Sequence, residues 1–164
     1  MVLTWIHRVV AVGALALIVT PALEAQHTPR SQPSVRVAGI VDGNTVVETA
    51  RRYLGVRYVL GGTTPKAFDC SGFIRYVFAL HGLQLPRTAH EQAAYGIAPD
   101  VKDLEAGDLL FFYGGRGAQH IAMYIGGDSI IHASSGGHRV MLARLSGTGT
   151  HRTWFGQRLI AVRR

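Results

Sequence analysis

The chain has a single cysteine, Cys70, and that scarcity excludes most of what small exported proteins do with sulfur. One thiol cannot staple its own chain, and it cannot supply a four-ligand cysteine framework for zinc. An intermolecular bridge, an inert buried thiol and a reactive thiol stay open. Long apolar runs are also scarce, and an uncleaved membrane anchor is the alternative to an export signal at the N-terminus. The apolar stretch Val9 to Val19 is too short to cross a bilayer comfortably. It follows His7 and Arg8 and leads into Pro21-Ala22-Leu23-Glu24-Ala25, an order that reads as an export signal, residues 1–25, cleaved after Ala25. No cysteine stands near that junction, which excludes a lipid-modified N-terminus, and no stable membrane span is expected once the signal is gone. Internal repeats are absent.

Acidic residues are few: 10 against 17 Lys and Arg, a net charge of +7. Cleavage would remove Arg8 and Glu24 together and leave the balance unchanged. A basic exported protein suits a polyanionic surface such as a bacterial cell wall, through long-range attraction that salt weakens. The basic residues are dispersed and no nucleic-acid module is recognisable, so nucleic acid is not the expected partner. At 164 residues there is room for one domain. Residues 26–41, polar with Pro29 and Pro33, read as a flexible lead-in, which leaves 42–164 as the folded domain.

Helical signals come first. Val46, Val47, Ala50 and Leu54 mark one face of a helix over Asn44 to Leu54, stopped by Gly55. Val56 to Leu60 is a short extended run, and Thr63 to Ala67 a surface loop. Thr88 and Glu91 have capping-box spacing and open a helix to Tyr95. Strand patterns follow: Asp108 to Tyr113, Gln119 to Ile125, Ser129 to Ala133, Arg139 to Leu142 and Trp154 to Val162, separated by glycine-rich turns. Helices before strands predict an α+β fold with a mainly antiparallel sheet.

Between the two regimes lies Phe68-Asp69-Cys70-Ser71-Gly72. Phe73, Ile74, Val77 and Phe78 recur at helical spacing, Asp69 is a good N-cap, and Gly82 follows the last turn. Cys70 is then the first helical residue. The partial positive charge of a helix N-terminus favours thiolate and is expected to lower its pKa from about 8.5. A cysteine nucleophile also needs a base, and the base needs an orienting group. Of eight histidines, His7 and His27 precede the domain, and His81, His90, His138 and His151 occupy helix surfaces or loops as expected solvated residues. His120 and His132 stand inside apolar strands, where a polar ring wants a partner. A three-residue connection or a bulge at Gly126-Gly127-Asp128 puts Ala122 opposite His132, with His120 diagonal on the same face, roughly 5 to 8 Å away. A plain two-residue turn would separate the rings. Satisfied core histidines are the bland alternative.

Assembled, Cys70 is the nucleophile, His120 the base and His132 its orienting partner, with the Cys70 N–H and Tyr58 as candidate oxyanion donors. The chain carries, in order, Tyr58 to Gly62, Asp69-Cys70-Ser71-Gly72, Leu85-Pro86-Arg87-Thr88 with Gln92, Gly107-Asp108-Leu109, His120 with Tyr124-Ile125-Gly126, and Ile131-His132-Ala133. This run of motifs resembles the NlpC-type cell-wall endopeptidases, papain-like bacterial cysteine peptidases. The likeness extends from about Val46 to Leu145. It implies a papain-like α+β core with the nucleophile helix packed on the sheet, and a triad of Cys70, His120 and His132. It also implies Tyr58 as the active-site tyrosine, with Asp69 and Ser71 near the substrate. The implied reaction is hydrolysis of peptidoglycan stem peptides, typically the γ-D-glutamyl to diamino acid bond, without a metal or cofactor. Two positions depart from the pattern: Leu60 stands where many relatives have Trp, and Ile121-Ala122 where Val-Gly is common. An amidase or acyltransferase using the same thiol, and a non-catalytic wall-binding protein, are the alternatives.

Overall fold

Asp42 sets the first helix. Its carboxylate accepts hydrogen bonds from the Asn44 and Thr45 backbone N–H groups and caps α1 (Gly43–Arg51), which buries Val46, Val47 and Ala50. The computed structural model describes residues 41–146 and 153–164, all within the unit Pro33–Arg164. The expected export signal, nearly all of the lead-in, and His7, His27 and His151 lie outside the described residues. Among the described residues no helix is long and apolar enough to cross a membrane.

After α1 the chain forms a small ribbon, β1 (Thr63–Thr64) against β2 (Ala67–Phe68), where a surface loop was expected. Next comes α2 (Cys70–Ala79), with Asp69 as its cap. The Thr88 and Glu91 capping box forms as expected and opens α3 (Ala89–Gln92), shorter than the expected helix to Tyr95. Five strands then build one antiparallel sheet: β3 (Leu109–Tyr113), β4 (Ala118–Gly126), β5 (Ser129–Ser134), β6 (Arg139–Arg144) and, at the end, β7 (Leu159–Arg163). Their spatial order is β6-β5-β4-β3-β7. This is the expected α+β arrangement, since Phe73, Ile74 and Val77 of α2 join Phe111, Ile121, Met123 and Ile131 of the sheet in the main core. Burying one such side chain contributes about 1.5–3 kcal/mol.

The opposite face of the sheet carries a second cluster of Leu110, Phe112, Ala122, Ile130 and Leu145. Its cover corrects the expected strand over Trp154 to Val162. The first half is a short helix, α4 (Trp154–Arg158), because the Thr153 hydroxyl accepts from Gly156 N at 3.0 Å and caps it; only the second half is strand. Phe155 and Leu159 pack down onto the second cluster. A strand-forming composition gave way here to a side-chain cap.

Two irregularities in β4 decide where its side chains point. The connection to β5 is a tight turn with Gly127 at φ 57° and Asp128 at φ 60°, as a two-residue primed turn requires. A bulge at Ile125 restores the parity that such a turn would upset: Tyr124 pairs with Ile130 and Met123 with Ile131, so Ala122 stands opposite His132. At the other end a second bulge leaves Gln119 unpaired between His120, opposite Phe112, and Ala118, opposite Tyr113.

Helix α2 reaches the ribbon only because Gly72 lacks a side chain. A Cβ there would lie 2.1 Å from the Gly62 carbonyl oxygen. Gly72→Ala is therefore expected to push the helix start off the 61–62 turn and destabilise the fold by about 1–3 kcal/mol. Urea unfolding measures this, and an unchanged midpoint would contradict the close approach.

Candidate active site

The site is built around the start of α2. Asp69 Oδ1 accepts from Gly72 N at 2.7 Å, and Oδ2 accepts from Gly61 N at 2.9 Å, so one carboxylate ties the helix to the glycine turn beside it. Arg87 grips that carboxylate from the other side. Its Nη1 donates to Asp69 Oδ1 at 3.1 Å and to Ser71 Oγ at 3.0 Å, while Nη2 donates to Oδ2. Burial opposes charge on Asp69, yet Arg87 and the two backbone donors hold its carboxyl below the usual range. Buried Gln92 donates to the Pro86 carbonyl at 2.8 Å and the Ser71 carbonyl at 3.2 Å, fastening α3 to the same helix start.

Cys70 opens into a cleft of about 530 Å³ whose walls include Tyr58, Leu60, Arg87, His90 and Gln119. Its thiol lies 3.8 Å from the Gln119 carbonyl oxygen, one residue before His120. The position at the helix start is as expected, but the lowered pKa is not. Burial pushes the thiol up and the Asp69 carboxylate pushes the same way, against the backbone N–H groups of Ser71, Ile121 and Cys70. The helix terminus loses to desolvation and to its own capping carboxylate.

The histidines converge. His120 Nε2 and His132 Nδ1 are 2.9 Å apart with the rings nearly perpendicular, at 87°. Aromatic side chains enclose the pair: Phe155 lies 5.0 Å from the His132 ring, and Trp154 and Phe112 lie 6.2 and 6.1 Å from that of His120. Burial lowers the pKa of His120 to about 3, with His132 adding to the effect, and burial alone lowers that of His132 to about 4. Both rings are neutral at pH 7. Nε2 of His120 meets His132, and Nδ1 is the nitrogen outside that contact. Among the described residues the thiol has no hydrogen bond to either ring in this conformation, its contact being the Gln119 carbonyl.

The structure brings His120 and His132 together and sets the Cys70 thiol beside the Gln119 carbonyl, with Tyr58 in the cleft wall. Burial, with Cys70 and Asp69, raises the Tyr58 pKa, so its phenol stays a hydrogen-bond donor. Asp69 and Ser71 are each 5% exposed and bound to Arg87, which makes them the floor of the cleft. One expectation about surface histidines needs correction: His81 is half-buried, 3.0 Å from the Thr49 hydroxyl, whereas His90 is exposed as expected and lines the open cleft. Sequence reasoning saw Arg87 and Gln92 only as motif positions and missed the enclosure by Trp154 and Phe155. A buried capping carboxylate needing a cation was the available signal for Arg87.

The neutral pair has a consequence in acid. Between the ordinary histidine value of 6.5 and the folded values of about 3 and 4, the unfolded chain binds more protons than the folded one. The contribution of the pair to stability is complete above pH 6.5 and is lost as pH falls through that window. The urea midpoint should drop between pH 7 and pH 4, and by less in His132→Gln. An identical drop in both proteins would contradict the assignment.

Residues 55–159 match the NlpC/P60 family. A probable endopeptidase of Corynebacterium glutamicum (strain R) is 39% identical over 118 residues, covering 72% of this chain and 51% of the relative. A gamma-D-glutamyl-L-lysine dipeptidyl-peptidase of Bacillus subtilis (strain 168) is 36% identical over 122 residues, covering 73% and 40%. The chain spans about half the length, or less, of these curated relatives. The crystal structure of the NlpC/p60 domain of the peptidoglycan hydrolase SagA superposes with a TM-score of 0.65 at 34% identity, covering 76% of this chain and 99% of that one. An NlpC/P60 family protein from Bacillus cereus ATCC 10987 gives 0.68 at 32% identity, covering 77% and 41%. Sequence match and papain-like architecture agree: the chain belongs to the NlpC/P60 family.

Proposed function

We propose that the protein is an exported peptidoglycan endopeptidase that cleaves stem-peptide amide bonds, the γ-D-glutamyl to diamino acid bond in particular, through a thioester on Cys70. The observation that carries this reading is the 2.9 Å contact between His120 and His132, placed one residue beyond the carbonyl that the thiol touches. The names of the Bacillus subtilis relative and of SagA support the bond and the polymer. The leader-like residues 1–25 and the charge of +7 support export to the periplasm or beyond and retention at the wall.

The proposed proton transfer selects the tautomers. For His120 Nδ1 to accept the thiol proton, Nε2 must carry hydrogen and donate to His132 Nδ1, which leaves the hydrogen of His132 on its own Nε2. As the thiol turns from the Gln119 carbonyl toward His120, its proton passes to Nδ1 and the sulfur attacks the amide carbonyl. The Cys70 N–H and the Tyr58 hydroxyl are the donors offered to the oxyanion. Collapse expels the amine of the diamino acid, which takes the proton from His120, and a thioester remains. Water then gives a proton to His120 and attacks the thioester, releasing the γ-glutamyl carboxylate and restoring the thiol. The raised thiol pKa means that the thiolate forms at the moment of transfer instead of persisting in the free protein.

Mutants separate the roles. Cys70→Ser and His120→Ala should lower kcat on purified sacculi at least about a thousandfold with the fold intact, and His132→Ala should lower it less, because it removes only the orienting group. Mass spectrometry of the products reads the bond: a newly free diamino acid amine supports the proposal. Parental rates in either of the first two variants, or release of a lactyl-glycan in place of the amine, would overturn it.

A further inference from the structure

The short run 56–59 is stitched to the tip of the β5–β6 hairpin. Tyr58 N donates to the His138 carbonyl and Val140 N to the Val56 carbonyl, each at 2.8 Å, and these bonds flank the bridged pair Arg57 and Arg139. Residues so flanked form a non-hydrogen-bonded antiparallel pair, the arrangement in which opposed side chains stand closest, with Cβ atoms about 4.5–5.5 Å apart. Two arginines therefore leave the surface side by side, an arrangement that is unfavourable for like charges. Arg57 is held there by an Nε–H donated to the Lys66 carbonyl at 3.1 Å, which sets the Lys66 backbone beside it. All three side chains are exposed, as is His138, whose left-handed backbone, φ 57°, shapes the hairpin tip. The ion pairs among the described residues draw on Arg51, Arg87, Arg144 and Arg164, and on none of Arg57, Lys66 or Arg139.

We infer that Arg57, Lys66 and Arg139 form an anion-docking surface that holds the carboxylate-bearing peptidoglycan mesh against the protein, separately from the cleft. Paired guanidinium forks suit carboxylates, and their mutual repulsion is relieved when an anion lies between them. The surface is next to the cleft but not in it. Successive side chains of an extended run leave on opposite sides, so Arg57 faces away while Tyr58 lines the cleft. A cross-linked polymer with a carboxylate on stem peptide after stem peptide can occupy both at once, and each engagement raises the local concentration for the other. The inference rests on the reading of the cleft as a stem-peptide site.

The test uses an Arg57→Gln/Arg139→Gln double variant and a control, Lys102→Gln/Arg116→Gln, that loses the same charge elsewhere. Co-sedimentation with sacculi stripped of phosphate polymers should weaken about five- to tenfold at low salt in the first variant, with a shallower salt dependence, and much less in the control. Turnover of a small soluble stem peptide should match the parent in both. Equal losses in the two variants, unchanged sedimentation in the first, or a loss confined to sacculi that retain phosphate polymers would overturn the docking surface. Failure of the parental protein to cleave the soluble peptide would instead overturn the reading of the cleft.

Discussion

The carboxylate of Asp69 is the constraint on which the site depends. It is buried among Gly61, Gly72, Ser71 and Arg87, and every contact it makes positions something else: the first turn of α2, the glycine turn of the cleft wall, and the loop that carries Arg87. Removing Arg87 alone would leave a buried charge without its partner, a change that typically costs several kcal/mol. The same carboxylate acts against the thiol it presents, because its charge raises the Cys70 pKa. Geometry and acidity pull apart here, and the fold resolves the conflict in favour of geometry.

In the proposed mechanism, that choice places the burden of activation on the imidazoles. A cysteine held as thiol needs a base that is neutral when substrate arrives, and burial keeps both His120 and His132 neutral at pH 7. In the proposed mechanism the orienting group is itself an imidazole, which would fix the ring of His120 without offering a countercharge to the imidazolium formed in proton transfer. A carboxylate in that place would hold the imidazolium more strongly and make its proton harder to return to the leaving amine. Trp154, Phe155 and Phe112 surround the pair, and Arg158 lies over the Trp154 ring at 4.9 Å, which braces the outer wall of this enclosure.

Much of this was legible in the residues. The cap at Asp69, the capping box at Thr88 and Glu91, and the facing histidines all follow from local rules of helix ends and strand register. The bulge at Ile125 was required by those rules once the rings were to meet, and it is present. The misreadings have two causes, a local cap that was overlooked and tertiary contacts that overrode local signals. Trp154 to Arg158 looks like strand until Thr153 caps it, and the sulfur looks acidified by its helix until burial and Asp69 are weighed. His81 looks solvated because nothing near it in the chain shows that it meets Thr49. Arg57 and Arg139 are 82 positions apart, and only the folded hairpin makes them neighbours.

The central claim is a covalent intermediate on the chain's only cysteine, and hydroxylamine partitioning tests it directly. A thioester formed from a stem peptide should be intercepted, so that γ-glutamyl hydroxamate appears at the expense of the free acid as hydroxylamine is raised, while the amine of the diamino acid leaves at an unchanged rate. Formation of the free acid alone at every hydroxylamine concentration would contradict a thioester on Cys70.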